Sequence, residues 1–82
     1  MTTGTTASGT YYLFNKKDQD VPIVFVHGVG LTHEIWQPQL EFFNYHSTLA
    51  YDILGHGKSS LEKKEISFDD FSDQLIGLMD HL

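Results

Sequence analysis

The chain contains no cysteine and no arginine, and only two of its 82 residues are proline. Without cysteine there is no disulfide framework and no thiolate to act as nucleophile or metal ligand, which fits a reducing compartment and makes the cytoplasm the default location. Without arginine, the positive charge rests on Lys16, Lys17, Lys58, Lys63 and Lys64 against eleven acids, a formal charge of −6. That balance disfavours nucleic-acid phosphates and anionic membrane surfaces as partners. No stretch approaches the roughly 18 apolar residues that a membrane-crossing helix needs. The opening "MTTGTTASGT" lacks both the charged start and the apolar core of a secretory signal.

What is present suits one small domain, which at this length buries roughly 60 to 65% of the surface its unfolded chain exposes. Residues 1–9, rich in threonine, glycine and serine, read as a flexible tail, because they hold too little apolar surface to offset their ordering entropy. "TYYLF" at 10–14 is β-branched and aromatic and reads as a strand, ended by a turn in "NKKDQD" at 15–20. "PIVFV" at 22–26 is a continuous apolar run, the pattern of a strand covered on both faces, with a short buried helix as the competing reading. Thr32 is placed to cap a turn, and Pro38 suits a first helical turn, so a helix is expected from about Gln37 to Phe43, burying Leu40 and Phe43. "STLAYDI" at 47–53 reads as another strand, and "LGHGKSS" after it as a glycine-bearing loop. Finally, Phe68, Phe71, Leu75, Leu78, Met79 and Leu82 recur at steps of three and four behind a Ser67/Asp70 capping box, predicting an amphipathic helix. The order strand, strand, helix, strand, helix contains a βαβ unit and predicts an α/β fold with about three strands, two of them parallel, and two helices.

Two loops follow the two strands expected to be parallel: "HGVG" at 27–30 and "GHGKS" at 55–59. In open α/β sheets ligands bind beyond the carboxyl ends of the strands, so both loops lie on the functional edge. Phosphate binding fits poorly. The pattern GxxxxGK[ST] requires glycine where this chain has Asp52, and GxGxxG requires a small residue where it has His33. No nucleotide cofactor is therefore expected. A metal site built from His27, His33, His56 and Asp52 has suitable donors but no pair at the spacing that aligns two ligands on one helical turn, so no metal is expected either. The third chemistry is an oxyanion hole: glycine lets a peptide turn its N–H toward a reacting centre, with Gly28 as the sharp turn and the N–H of Val29 facing the site.

At this point "IVFVHGVGLTHEIWQPQL" followed by "YDILGHGKS" is similar to the N-terminal third of the α/β-hydrolase fold family, particularly its esterase, lactonase and C–C hydrolase branch. The positions that match the family's motifs are His27, Gly28, Val29, Gly30, Trp36, Asp52, Gly55, His56, Gly57 and Ser59. The resemblance spans about residues 10–82 and implies an N-terminal α/β-hydrolase fragment with an incomplete sheet. It further implies that Val29 gives one oxyanion-hole N–H to a small-molecule carbonyl substrate. By residue chemistry alone, Asp52, His56 and Ser59 fix their loop by local hydrogen bonds, His27 is a structural histidine, and Trp36 divides between packing and substrate contact.

The family carries its nucleophile on a GxSxG elbow, and no serine here lies between glycines at that spacing. Nucleophile, acid and base are expected beyond Leu82, so the 82 residues should be inactive alone. In the family's sheet order "PIVFV" is central. Left uncovered, it is an aggregation-prone edge that favours self-association. Two competitors remain: a non-catalytic interaction module on the same scaffold, and the branch with an aspartate nucleophile, as in dehalogenases and epoxide hydrolases.

Overall fold

The structure is a computed structural model that describes residues 1–17, 21–61 and 66–82. Four strands form one mixed sheet in the order β1-β2-β4-β3, with β1 Thr2–Thr5, β2 Tyr11–Asn15, β3 Ile23–Val26 and β4 Thr48–Tyr51. β2 runs antiparallel to both neighbours, pairing Tyr12 with Tyr51 of β4 and Thr3 with Leu13. β3 and β4 are parallel, with Val24 beside Leu49 and Val26 beside Tyr51. Between them come a 3₁₀ turn, His33–Trp36, and the short helix α1, Gln37–Phe42; after β4 comes α2, Phe68–His81.

The local signals act as their chemistry requires. Thr32 accepts the N–H of Glu34 at 3.3 Å and so opens the 3₁₀ turn, and Pro38 sits in the first turn of α1, where its missing donor costs nothing. Ser67 and Asp70 form the reciprocal capping box, Ser67 N–H to Asp70 Oδ2 at 2.9 Å and Asp70 N–H to Ser67 Oγ at 3.3 Å. The main core lies between the sheet and α2. Tyr12, Leu49, Tyr51, Ile53 and Leu78 are buried there, with Phe14, Val24, Phe71 and Leu75 packed against them. Removing the Leu78 side chain would cost about 2 to 5 kcal/mol through lost burial and a cavity. On the opposite face, Phe25 of β3 meets Trp36 at 5.1 Å and Phe43 at 6.2 Å between ring centroids.

Four expectations are corrected. Residues 2–5 are not a flexible tail but a fourth strand, so the sheet has four strands rather than three. β-branched threonines are good strand formers when a neighbouring strand offers a ladder, and Thr6 Oγ1 accepts the N–H of Thr10 at 3.1 Å, closing the connection to β2. β3 is covered on both faces only at its middle, where half-buried Val24 packs against the core and half-buried Phe25 against Trp36 and Phe43, while Ile23 and Val26 at its ends are exposed. β4 ends at Tyr51: Asp52 still donates its N–H to Tyr11 O at 3.1 Å, but the answering Tyr11 N–H goes to Ser59 Oγ at 2.9 Å, and the Asp52 carbonyl is taken by Ser59 and Gln74. The apolar stripe of α2 is only partly buried: Leu78 is enclosed, while Phe68 is 89% exposed and Met79 and Leu82 are also exposed. Of the turn expected at 15–20, residues 18–20 lie outside the described residues.

Candidate active-site loops

Both glycine loops leave the same end of the sheet, because they follow neighbouring parallel strands. The first is a β-turn over residues 28–31, in which the Leu31 N–H donates to Gly28 O at 3.1 Å. Its third residue, Gly30, has φ +88°, the left-handed conformation that a type II turn demands at that place. The glycine that the turn requires is therefore Gly30. Gly28 has an ordinary φ, and a Cβ there would meet Leu31 Cδ1 at an unstrained 3.8 Å, which corrects the expectation that Gly28 makes the sharp turn.

A β-turn uses only the N–H of its fourth residue, so those of Val29 and Gly30 are left for other partners. Gly30 N–H donates to His56 Nε2 at 3.0 Å. Among the described residues no hydrogen bond engages the N–H of Val29, whose side chain is 80% exposed. His27 is buried beneath the turn. It accepts the N–H of Ile53 on Nε2 at 3.0 Å, which leaves Nδ1–H to donate to Gly28 O at 2.8 Å. His56 follows the same pattern, with Nδ1–H donating to Leu54 O at 2.9 Å. Each histidine thus ties one loop to the other, and neither has a ring nitrogen left over for chemistry.

The second loop is organised by Asp52, which is fully buried. Its Oδ1 accepts both the N–H of His33 at 2.7 Å and the Nδ1–H of His33 at 2.8 Å, and its Oδ2 accepts the N–H of Lys58 at 2.9 Å. Burial pushes the carboxyl up, but the Lys58 N–H and then the two His33 donors outweigh it and hold Asp52 below the usual carboxylate range. The Asp52 carbonyl accepts from Ser59 Oγ at 2.6 Å and from Gln74 Nε2 at 3.0 Å, and Ser59 Oγ accepts the N–H of Tyr11 at 2.9 Å. Gln74 Oε1 also accepts the N–H of Leu54 at 3.0 Å. Asp52, Ser59 and His56 are thus spent on structure, as their residue types suggest.

The structure brings His27, Gly28, Val29, Gly30, Asp52, Gly55, His56, Gly57 and Ser59 together at the sheet end. Trp36 instead packs on Phe25, and its Nε1 is buried without a hydrogen-bond partner among the described residues. Two organising residues escaped the sequence reading. The sequence marks His33 only as a metal donor and as the residue that breaks GxGxxG, and Gln74 only by the one available signal, a polar side chain between Phe71 and Leu78 on an apolar stripe. Among the described residues no three histidine or acidic side chains are arranged to hold a metal ion. Beside Val29 lies a mostly apolar cleft of about 180 Å³ lined by Val26, His27, Tyr51, Ile53, Phe68 and Phe71. A larger hollow of about 260 Å³ beside Leu54, Ser60, Leu61 and Gln74 does not include Val29. Ligand pockets run from about 300 to 1,000 Å³, so the cleft at Val29 is by itself smaller than a usual binding site.

A mixed sheet whose parallel strands deliver two cross-tied glycine loops to one edge defines an α/β protein. Residues 23–82 match the model of the alpha/beta hydrolase family, and the chain belongs to that family. It is 39% identical over 56 residues to the (E)-2-((N-methylformamido)methylene)succinate hydrolase of Acinetobacter baylyi, a match covering 67% of this chain and 21% of that one. It is also 35% identical over 81 residues to the non-heme chloroperoxidase CPO-A1 of Kitasatospora aureofaciens, covering 95% and 29%. The crystal structure of a hydrolase from Pseudomonas aeruginosa PA01 superposes with a TM-score of 0.81 at 23% identity over 98% of this chain and 31% of that one, a likeness of fold. The chain spans between a fifth and a third of the length of these three proteins.

Proposed function

We propose that this chain supplies the N-terminal portion of a serine-type α/β-hydrolase of the cytoplasm, acting on a carboxylic ester, a lactone or a related carbonyl compound. The N–H of Val29 serves as one oxyanion donor. The observation that carries this reading is the unengaged Val29 amide in the Gly28–Leu31 turn at the carboxyl end of β3, with its neighbour Gly30 fixed by His56. When a nucleophile adds to a carbonyl, the oxygen takes up negative charge. A donor already held in place stabilises that charge without reorganising and contributes on the order of 3 to 4 kcal/mol. The named substrate of the Acinetobacter relative carries an amide carbonyl, which agrees with this chemistry.

The 82 residues hold one donor and no GxSxG serine. They are therefore expected to turn over a nitrophenyl ester no faster than serum albumin does. The 56-residue stretch that matches the Acinetobacter hydrolase, exchanged for that enzyme's corresponding segment, should preserve activity, and Val29→Pro in that chimera, which removes the N–H, should lower kcat about 10²- to 10³-fold. A proline variant with undiminished kcat would refute the assignment.

A further inference from the structure

The two partners of the His56 ring fix its protonation. Nδ1 lies 2.9 Å from Leu54 O, which can only accept, so Nδ1 carries a hydrogen. Nε2 lies 3.0 Å from the Gly30 nitrogen, whose N–H can only donate, so Nε2 carries a lone pair and the ring is neutral. The N–H it receives belongs to the central peptide of the Gly28–Leu31 turn, between Val29 and Gly30. Type I and type II turns differ chiefly in that peptide: ψ of the second residue changes by about 150° and φ of the third by about 170°, which turns the peptide over. With φ +88° at Gly30 and no positive φ at Val29, this turn is of type II. It has room to invert, since Val29 and Gly30 are exposed and a Cβ at Gly30 would meet nothing within 4 Å.

We propose that His56 is a positioning residue whose charge selects which way the Val29–Gly30 peptide faces; its bearing on catalysis rests on the reading of Val29 as an oxyanion donor. Neutral His56 accepts the Gly30 N–H and holds type II. Protonated, Nε2 gains a hydrogen that confronts the Gly30 hydrogen, and inversion to type I relieves the conflict by giving that Nε2–H the Val29 carbonyl as acceptor. The Leu31 N–H to Gly28 O bond persists in both forms, so they are two states of one turn. Only the neutral state presents the turn that carries the Val29 amide as described. Among the described residues the titratable groups of the surrounding elements are His27 at the end of β3, 5.5 Å away between ring centroids, and Asp52 and Lys58 in the same loop. The Asp52 carboxylate lies 3.8 Å from His27 Nε2 and holds His33, and Lys58 turns its ammonium onto the Tyr11 ring at 4.8 Å. α2 brings Phe68 and Phe71 to the His27 side.

NMR of the nitrogen-15-labelled protein from pH 8 to pH 5, where histidines change charge, tests this. At pH 8 His56 should show a bare Nε2 and a protonated Nδ1, with the Gly30 amide protected from exchange. As the His56 ring protonates, Gly30 protection should fall about tenfold or more with the midpoint of that ring, while the amides of His33 and Lys58, held by Asp52, keep theirs. The short Val29 Hα to Gly30 N–H distance of the type II turn should be lost in step. His56→Gln, whose side-chain oxygen accepts throughout this range, should keep Gly30 protected. No turnover is read, so the result stands apart from that of Val29→Pro on kcat. The proposal is overturned by a His56 ring with its hydrogen on Nε2 at pH 8, by one still neutral at pH 5, or by a Gly30 amide that ignores the charging of His56. A Gly30 change that follows the His27 ring, or that persists in His56→Gln, overturns it equally.

Discussion

Two loops leave neighbouring strands at the same end of the sheet, and they are built in opposite ways. The loop after β4 folds around a buried carboxylate whose two oxygens receive three donors, with Ser59 and Gln74 gripping the same residue's carbonyl. The loop after β3 is a single turn in which the Val29 amide has no hydrogen-bond partner among the described residues and the valine is 80% exposed. The lesson is a division of labour. A backbone donor can be held out for a ligand only if something else fixes the peptide, and the β4 loop does so through His56, while His27 anchors the turn from below. The rigid loop carries the stability and, on the proposed function, the open loop carries the chemistry, so substitutions in the two should separate along those lines.

The largest expected effect is at Asp52. Asp52→Ala leaves the N–H of Lys58 and both donors of His33 without their acceptor and costs up to about 1 to 3 kcal/mol for each of these part-buried donors. The sum is comparable to the few kcal/mol that hold a domain of this size together. Urea or thermal unfolding followed by circular dichroism should show no cooperative transition for this variant. Asp52 also sets an acid limit. Because its folded pKa is depressed, its stabilisation is complete above the unfolded value near 3.9 and is lost as pH falls through the folded one. The wild type should therefore lose stability below about pH 4, and Asp52→Asn, weaker at neutral pH, should follow a flatter acid profile.

Next in size is a contrast between two glycines of positive φ. Gly57 has φ +51°, and a Cβ there would be driven into the Asp52 carboxylate. Gly30 has φ +88°, and a Cβ there meets nothing within 4 Å. Both alanine variants bear the left-handed backbone penalty of about 1 to 2 kcal/mol. Only Gly57→Ala also displaces the carboxylate from its donors, so it should cost about 2 kcal/mol more than Gly30→Ala in the same unfolding measurement. Equal costs would mean that the carboxylate yields freely and that the β4 loop is less fixed than its hydrogen bonds imply.

Much of this contrast was legible in the sequence. The capping box at Ser67, the periodicity of α2 and the glycines flanking both loops are local signals, and each acts through neighbours within four residues. The parallel pairing of β3 and β4 followed from the helix between them, since a crossover of that length returns a strand in the same direction. What was not legible depends on residues distant in sequence. β1 reads as a tail until β2 offers it a ladder, and Phe68 reads as core although the fold leaves it 89% exposed. Gly28 and Gly30 are indistinguishable as letters, and only backbone angles show which of them the turn requires. His33 and Gln74 were hidden because each acts on Asp52 or its carbonyl from 19 and 22 positions away.

The smallest effect on stability should come from Val29, and it is the one most tied to the proposed function. Its side chain is exposed, so Val29→Ala should change unfolding free energy by no more than about 0.5 kcal/mol. Its amide hydrogen should instead stand out in native-state exchange followed by NMR. The N–H groups of Gly30, His33 and Lys58 each have a side-chain acceptor and open only when a loop loosens, whereas that of Val29 has no acceptor to break from and should exchange at nearly the rate of an unstructured peptide. A Val29 amide as slow as its neighbours would mean that the donor is already occupied, which erases the difference between the two loops and leaves the turn after β3 with nothing to offer an oxyanion.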